Sequence, residues 1–139
     1  MQLDLLRSGM MWPQGWILRT SADAAALLGQ DLADRAIEEL RVAHLDGEQR
    51  VLGVSLRTEF APRMVDLPVR EIVREAMALG ARAIVLAHNH PSGDPTPSRA
   101  DKTATRRLAQ AARNLDIRLL DHLIFGARGC HSFRALGLL

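Results

Sequence analysis

A chain of 139 residues with 47% apolar and 24% charged residues has the balance of one globular domain around one core. Its net charge of +2 is too small an excess to argue nucleic-acid binding from electrostatics, and no apolar run reaches the ~20 residues a membrane span needs. The single cysteine, Cys130, excludes an internal disulfide and a cysteine-based zinc cluster, so a reduced, cytoplasmic setting is the default.

Residues 1–19 read as an irregular lead-in, with Trp12 and Trp16 set around Pro13 and Gly15. Its acidic Asp4 and lack of a long apolar stretch do not fit a signal peptide. Thr20 and Asp23 predict a capping box opening a short helix that stops at Gly29, and a second short helical stretch is expected from Asp31 to about Ile37. A hairpin follows, with strands Glu38 to Leu45 and Arg50 to Leu56 joined by a turn at 46–49. Residues 57–63, with Pro62, are irregular. Pro68 starts a helix whose stripe of Ile72, Val73, Ala76 and Met77 ends at Gly80.

The continuous apolar run 83–87 predicts a central strand buried on both faces, delivering the chain to His88. Pro91 to Pro97 forms a stiff loop, and Ser98 opens a helix to about Asn114 with Ala104, Leu108, Ala111 and Leu115 on one side. A strand from Ile117 to Phe125, a turn at Gly126 and Gly129, and a last strand from Cys130 to Phe133 close the chain. Strands flanked by two substantial helices define a mixed α/β single domain over residues 20–139.

The chemistry is concentrated in residues 88–101, HNHPSGDPTPSRAD. His88 and His90 are two apart at a strand end, so both imidazoles point the same way. Asp101 falls in the first turn of the next helix, which the proline-rich loop can fold back over the strand end. Two imidazoles and one carboxylate make a three-ligand zinc site, one ion per chain, with the fourth position left for water, the mark of a catalytic rather than a structural site. Such a water is a nucleophile at neutral pH. Glu38 or Glu39, at the start of the first strand, can act as the base if that strand lies beside the one ending at His88. Ser98 can donate a hydrogen bond to a developing oxyanion.

These residues resemble the JAMM metallopeptidase pattern of an upstream Glu, then His-x-His, seven residues, Ser, two residues and Asp. Here it reads Glu38, His88, His90, Ser98 and Asp101. The wider chain, from about residue 18 to 139, resembles the RadC family. HNHPSG followed by Pro-Ser and Asp matches its signature, PVREIVREA (68–76) its helix start, and LLDHLIFG (119–126) its last core strand. The resemblance implies a JAB/MPN-type, cytidine-deaminase-like sheet flanked by helices, and zinc-dependent peptidase or isopeptidase chemistry on a peptide or protein substrate. Counting back from Leu45-Asp46 as the family does selects Glu38 as the base, and alternation puts Glu39 on the opposite face. The family's Gly-Thr in the second strand is replaced here by Arg57-Thr58. Family members often carry an N-terminal helix-hairpin-helix module that binds DNA, and this chain is too short to hold one, which weakens a DNA-repair role.

Competing readings accompany these assignments. Ser98-x-x-Asp101 is also a helix capping box. His122 is expected beside Asp121 as a buried support rather than a ligand. His44 and His131 are expected to be structural or exposed, Asn89 to point away from the metal and tie the loop down, and Cys130 to be a small core or half-buried residue. Residues 88–90 are not an HNH nuclease motif, whose residues are spread over a ββα unit. The zinc deaminases need His-x-Glu and Pro-Cys-x-x-Cys, which one cysteine cannot supply. The alternative function is a non-enzymatic interaction module in DNA repair or recombination. A metal-dependent nuclease ranks last, because no phosphate-cradling glycine loop is present.

Overall fold

The computed structural model describes residues 12–58 and 67–139. The expected irregular stretch around Pro62 and most of the N-terminal lead-in lie outside them. In chain order the elements are α1 (Ser21–Leu28), β1 (Leu40–Leu45), β2 (Val51–Arg57), α2 (Val69–Ala78), β3 (Ala83–Asn89), α3 (Arg99–Arg113), β4 (Arg118–Gly126) and β5 (Gly129–Ser132). The strands form one sheet in the order β2-β1-β3-β4-β5. β3 and β4 are parallel, joined by α3 as the crossover, and every other neighbouring pair is antiparallel. The mixed α/β single domain expected from the sequence is the fold observed.

Alternation along the strands divides the core. One face buries Ala43, Leu45, Val54, Leu56, Val85 and Ala87 under Leu27 and Leu28 of α1. The other buries Leu40, Val42, Ile84 and Leu86 under Ile72 and Ala76 of α2 and Leu108 and Ala112 of α3. β3 is buried along its whole length, as its apolar run predicts.

Several boundaries differ from the sequence expectations. No helix forms over 31–37. Asp31 takes a left-handed φ of 58°, which breaks the path, and the segment makes only single turns that seat Leu32 in the core. β1 begins at Leu40 rather than Glu38, because the Glu39 amide donates to the Asn89 side chain instead of entering a ladder. The hairpin turn closes at 46–49 as expected, with Asp46 Oδ1 accepting from the Glu48 and Arg50 amides at 2.8 and 2.9 Å. Pro68 stands one position before the helix, as its N-cap. Gly80, at φ 69°, ends α2 in a Schellman arrangement, with Gly80 N–H donating to Met77 C=O and Ala81 N–H to Ala76 C=O. The apolar side of α3 is Ala104, Leu108 and Ala112, whereas Leu115, just past the helix end, is exposed. β5 starts one residue early, at Gly129, and stops before the buried Phe133.

Candidate metal centre

The centre forms where the C-terminal end of β3 meets the first turn of α3. Leu86, His88 and His90 continue one side of β3, the side that faces α2 and α3, so the two imidazoles project together over the sheet end. α3 starts at the same place. Ser98 Oγ accepts from the Asp101 amide at 3.0 Å, and Asp101 Oδ2 accepts from the Ser98 amide at 2.8 Å. This reciprocal box fixes the carboxylate at the helix entrance.

His88 Nε2 and His90 Nε2 are 3.1 Å apart, His90 Nε2 is 3.1 Å from Asp101 Oδ2, and His88 Nε2 is 3.5 Å from Asp101 Oδ1. Ligands at about 2.05 Å on a tetrahedral zinc would be about 3.3 Å from one another. His88 and Asp101 are buried, and His90 is partly exposed, so the group opens to solvent on one side. This His-His-Asp group can hold a metal ion.

The hydrogen bonds behind His88 and His90 set the tautomer of each ring. Thr105 Oγ1 donates to the Asp101 carbonyl at 2.6 Å, so toward His122 Nδ1, 2.8 Å away, it acts as acceptor. Burial holds the His122 pKa well below its ordinary value, reinforced by the neighbouring His88. The neutral His122 ring then carries its proton on Nδ1 and accepts at Nε2 from His88 Nδ1–H, 2.7 Å away. His90 Nδ1–H donates to the Asp94 carbonyl at 2.9 Å. In their neutral forms both histidines turn an Nε2 lone pair toward Asp101. Three acceptors facing one another at these distances fit a bound cation.

The charges agree with that donor set. Burial alone would push the Asp101 pKa up, but when a proton rather than a metal ion lies between these atoms, hydrogen bonds with His88 and His90, together with that from the Ser98 amide, outweigh it and hold Asp101 well below the usual carboxylate range. Its hydrogen bond to Asp101 raises the pKa of His90, against the opposing effect of burial. The pocket therefore favours positive charge.

The two glutamates part company. β1 pairs with β3 in a register that sets Leu40 against His88, and two residues further along that register Glu38 is level with His90. Glu38 Oε2 is buried with no hydrogen-bond partner among the described residues. Burial raises the Glu38 pKa, with His88 and His90 opposing and Asp101 adding to the rise. Glu39 points to the α1 side, where its carboxylate meets Arg41 Nε at 2.6 Å and Arg35 Nε at 3.4 Å. Arg41 in turn donates to the Leu28 and Gln30 carbonyls. Glu39 is thus tied into a buried ion pair on the far side of the sheet.

The remaining residues fall into place around this centre. Ser98 is exposed beside the ligands. Accepting from the Asp101 amide occupies a lone pair of its hydroxyl and leaves the O–H able to donate. His122 supports His88, but its ring does not pair with Asp121. The Asp121 carboxylate accepts from Ser21 and Ser132 hydroxyls and from the His122 and Arg134 amides. His44 is a buried structural residue bonded to Ser55 at 2.9 Å. Arg57 turns to α2, where Nη2 donates to both Glu75 oxygens at 2.8 and 2.9 Å. Asn89 is buried and ties down the segment before β1, not its own loop. Cys130 is exposed on the edge strand rather than packed in the core. Thr105 has no signature in the sequence, since a threonine about two turns into a helix reads as surface filler. Only its position four residues after Asp101, on the same helix side, could have marked it.

Comparison with known proteins agrees with this geometry. Residues 18–138 match the model of the family described as RadC-like JAB domain. A UPF0758 protein of Symbiobacterium thermophilum is 44% identical over 112 residues, covering 81% of this chain and 48% of the relative. The UPF0758 protein YkfG of Escherichia coli is 46% identical over 109 residues, covering 73% of this chain and 65% of the relative. A UPF0758 protein of Roseiflexus is 39% identical over 125 residues, covering 88% of this chain and 53% of the relative. The chain thus spans about half to two thirds of the length of these curated relatives.

Proposed function

The chain belongs to the RadC-like JAB domain family, and on that premise we propose that it is a zinc-dependent metallohydrolase of JAMM type that cleaves an amide bond in a peptide or protein. The observation that carries this reading is the buried Glu38 Oε2, which has no hydrogen-bond partner among the described residues and feels the charges of His88, His90 and Asp101. A scaffold has no need of an unpaired carboxylate against a cation-favouring pocket, because such a group costs stability. The complete donor set therefore favours an enzyme over a non-enzymatic DNA-repair module.

His88, His90 and Asp101 would hold the zinc. A zinc ion with one open position supplies a water whose pKa is lowered to about 7 and polarises a carbonyl oxygen. Glu38 accepts the proton of the attacking water at a carboxylate oxygen and returns it to the leaving nitrogen. In the metal-free chain burial raises its pKa, which moves the group toward the range where a carboxyl both takes and returns a proton. Ser98 Oγ–H donates to the oxyanion that develops on the attacked carbonyl. His122, Thr105 and the Asp94 carbonyl keep the two imidazoles in the metal-binding tautomer.

Metal analysis and a peptide-library cleavage screen test the proposal together. The expected result is one zinc per chain, lost in Asp101→Ala. Glu38→Gln keeps the zinc and lowers turnover by about 10²–10⁴-fold, the range for removal of a general acid-base group. Full turnover in Glu38→Gln, or zinc retained in Asp101→Ala, refutes the assignment.

A further inference from the structure

Asn89 sits between the two histidines, yet it serves neither. Alternation turns its side chain to the opposite face of β3 from the imidazoles. There it meets the segment that leads into β1. Asn89 Oδ1 accepts from the Glu39 amide at 2.7 Å, and Asn89 Nδ2 donates to the Ile37 carbonyl at 3.0 Å and the Arg35 carbonyl at 3.2 Å. Residues 37 and 39 bracket Glu38. One donor and two acceptors must be met from one side chain, and only a carboxamide presents that combination.

We propose that Asn89 is a positioning residue that clamps the backbone on both sides of Glu38 and so holds the Glu38 carboxylate over the metal ligands. The inference rests on the role given to Glu38 above. The segment it fastens is anchored on the α1 side by Leu32 in the core and by the Glu39–Arg41 pair, but Glu38 itself lies before the ladder of β1 begins. Residues 31–37 are turns and bends, and β1 does not begin until Leu40. The side chain of Asn89 takes the place of a ladder bond where the ladder has not yet started. The same short motif thus builds both halves of the centre, with His88 and His90 supplying metal donors on one face of β3 and Asn89 fixing the base from the other. A base displaced by about 1 Å loses about 10²-fold in rate. A clamp of three hydrogen bonds to a fully buried amide is the means of preventing that displacement.

The test uses the full chain loaded with cobalt(II), whose visible absorption reports the surroundings of the metal without any substrate. Glu38→Gln is expected to change the spectrum, because it alters a carboxylate beside the open coordination position. Asn89→Ala is expected to change it in the same direction and to add nothing in the Glu38→Gln background, the sign of two residues acting as one. Cobalt affinity in a chelator competition stays at the wild-type value. With a peptide from the cleavage screen, Asn89→Ala lowers kcat by about 10²-fold and leaves KM unchanged. Asn89→Asp keeps the shape and the acceptor for the Glu39 amide but loses both donors, so it repeats the effect even if the alanine variant folds poorly.

A wild-type spectrum in both Asn89 variants, effects that add to those of Glu38→Gln, or loss of cobalt from a folded Asn89 variant overturns the clamp. No spectral or kinetic response to Glu38→Gln itself overturns the role of Glu38 instead. Exchange of the Glu39 amide, expected to be about tenfold faster in Asn89→Ala, then still reports whether the backbone clamp exists.

Discussion

Replacing Thr105 by valine removes one hydroxyl and little volume from a residue that is 1% exposed. That hydroxyl accepts from His122 Nδ1 and donates to the Asp101 carbonyl. Without it, fully buried His122 has two courses. It can keep its tautomer and leave Nδ1–H unsatisfied, which costs about 1–3 kcal/mol of stability. Or it can move its proton to Nε2, where it faces His88 Nδ1, and His88 must then carry its own proton on the nitrogen that meets the metal. The second course competes directly with zinc. Loss of such a supporting bond typically weakens metal binding by 10–100-fold, or about 1.4–2.7 kcal/mol. Competition with a chromophoric zinc chelator at neutral pH measures the affinity, and urea melts of the metal-free chain measure the stability. Thr105→Ser keeps the hydroxyl and should restore both. Wild-type zinc affinity together with wild-type stability in Thr105→Val would refute the tautomer assignment from Thr105 through His122 to His88.

Two further outcomes follow from the same contacts. In Gly126→Ala the new methyl group would collide with the Gly93 carbonyl oxygen and stand 3.1 Å from Pro95 N, so the loop carrying Asp94 must shift. The Asp94 carbonyl then loses its hold on His90, and zinc affinity should drop about tenfold in the chelator assay while the helices melt cooperatively. In the metal-free chain, burial first and Arg57 second depress the His44 pKa to about 4. The unfolded chain, with histidine near 6.5, takes up that proton first, so the stabilisation is complete above about pH 6.5 and is lost as pH falls toward 4. The slope from this one group approaches 1.4 kcal/mol per pH unit, and urea melts across that range should show a shallower slope in His44→Gln.

Strand alternation and helix capping are local rules, and they made the metal donors legible. His88 and His90 had to point together wherever the strand lay, and a Ser-x-x-Asp start had to bring Asp101 to the head of α3. The buried central strand was equally plain, because five of its seven buried positions, 83–87, form a continuous apolar run. The expected helix over 31–37 failed for the opposite reason. Its local pattern was weak, and the path is set by Leu32 entering the core and by Asn89, some fifty residues away, taking the backbone hydrogen bonds.

What periodicity could not decide was which distant groups meet. Glu38 and Glu39 are alike as residues. They differ because β1 lies beside β3 in one register, sending Glu39 to Arg41 on the far face and leaving Glu38 level with His90. The support from Thr105 and His122, and the clamp of Asn89, are likewise contacts between elements. The sequence by itself therefore determined the convergence of His88, His90 and Asp101, which needs only a strand end and a helix start. Only the tertiary structure showed Glu38 level with His90 and which hydrogen bonds orient the two imidazoles, because contacts between distant segments depend on sheet register, which no local pattern encodes.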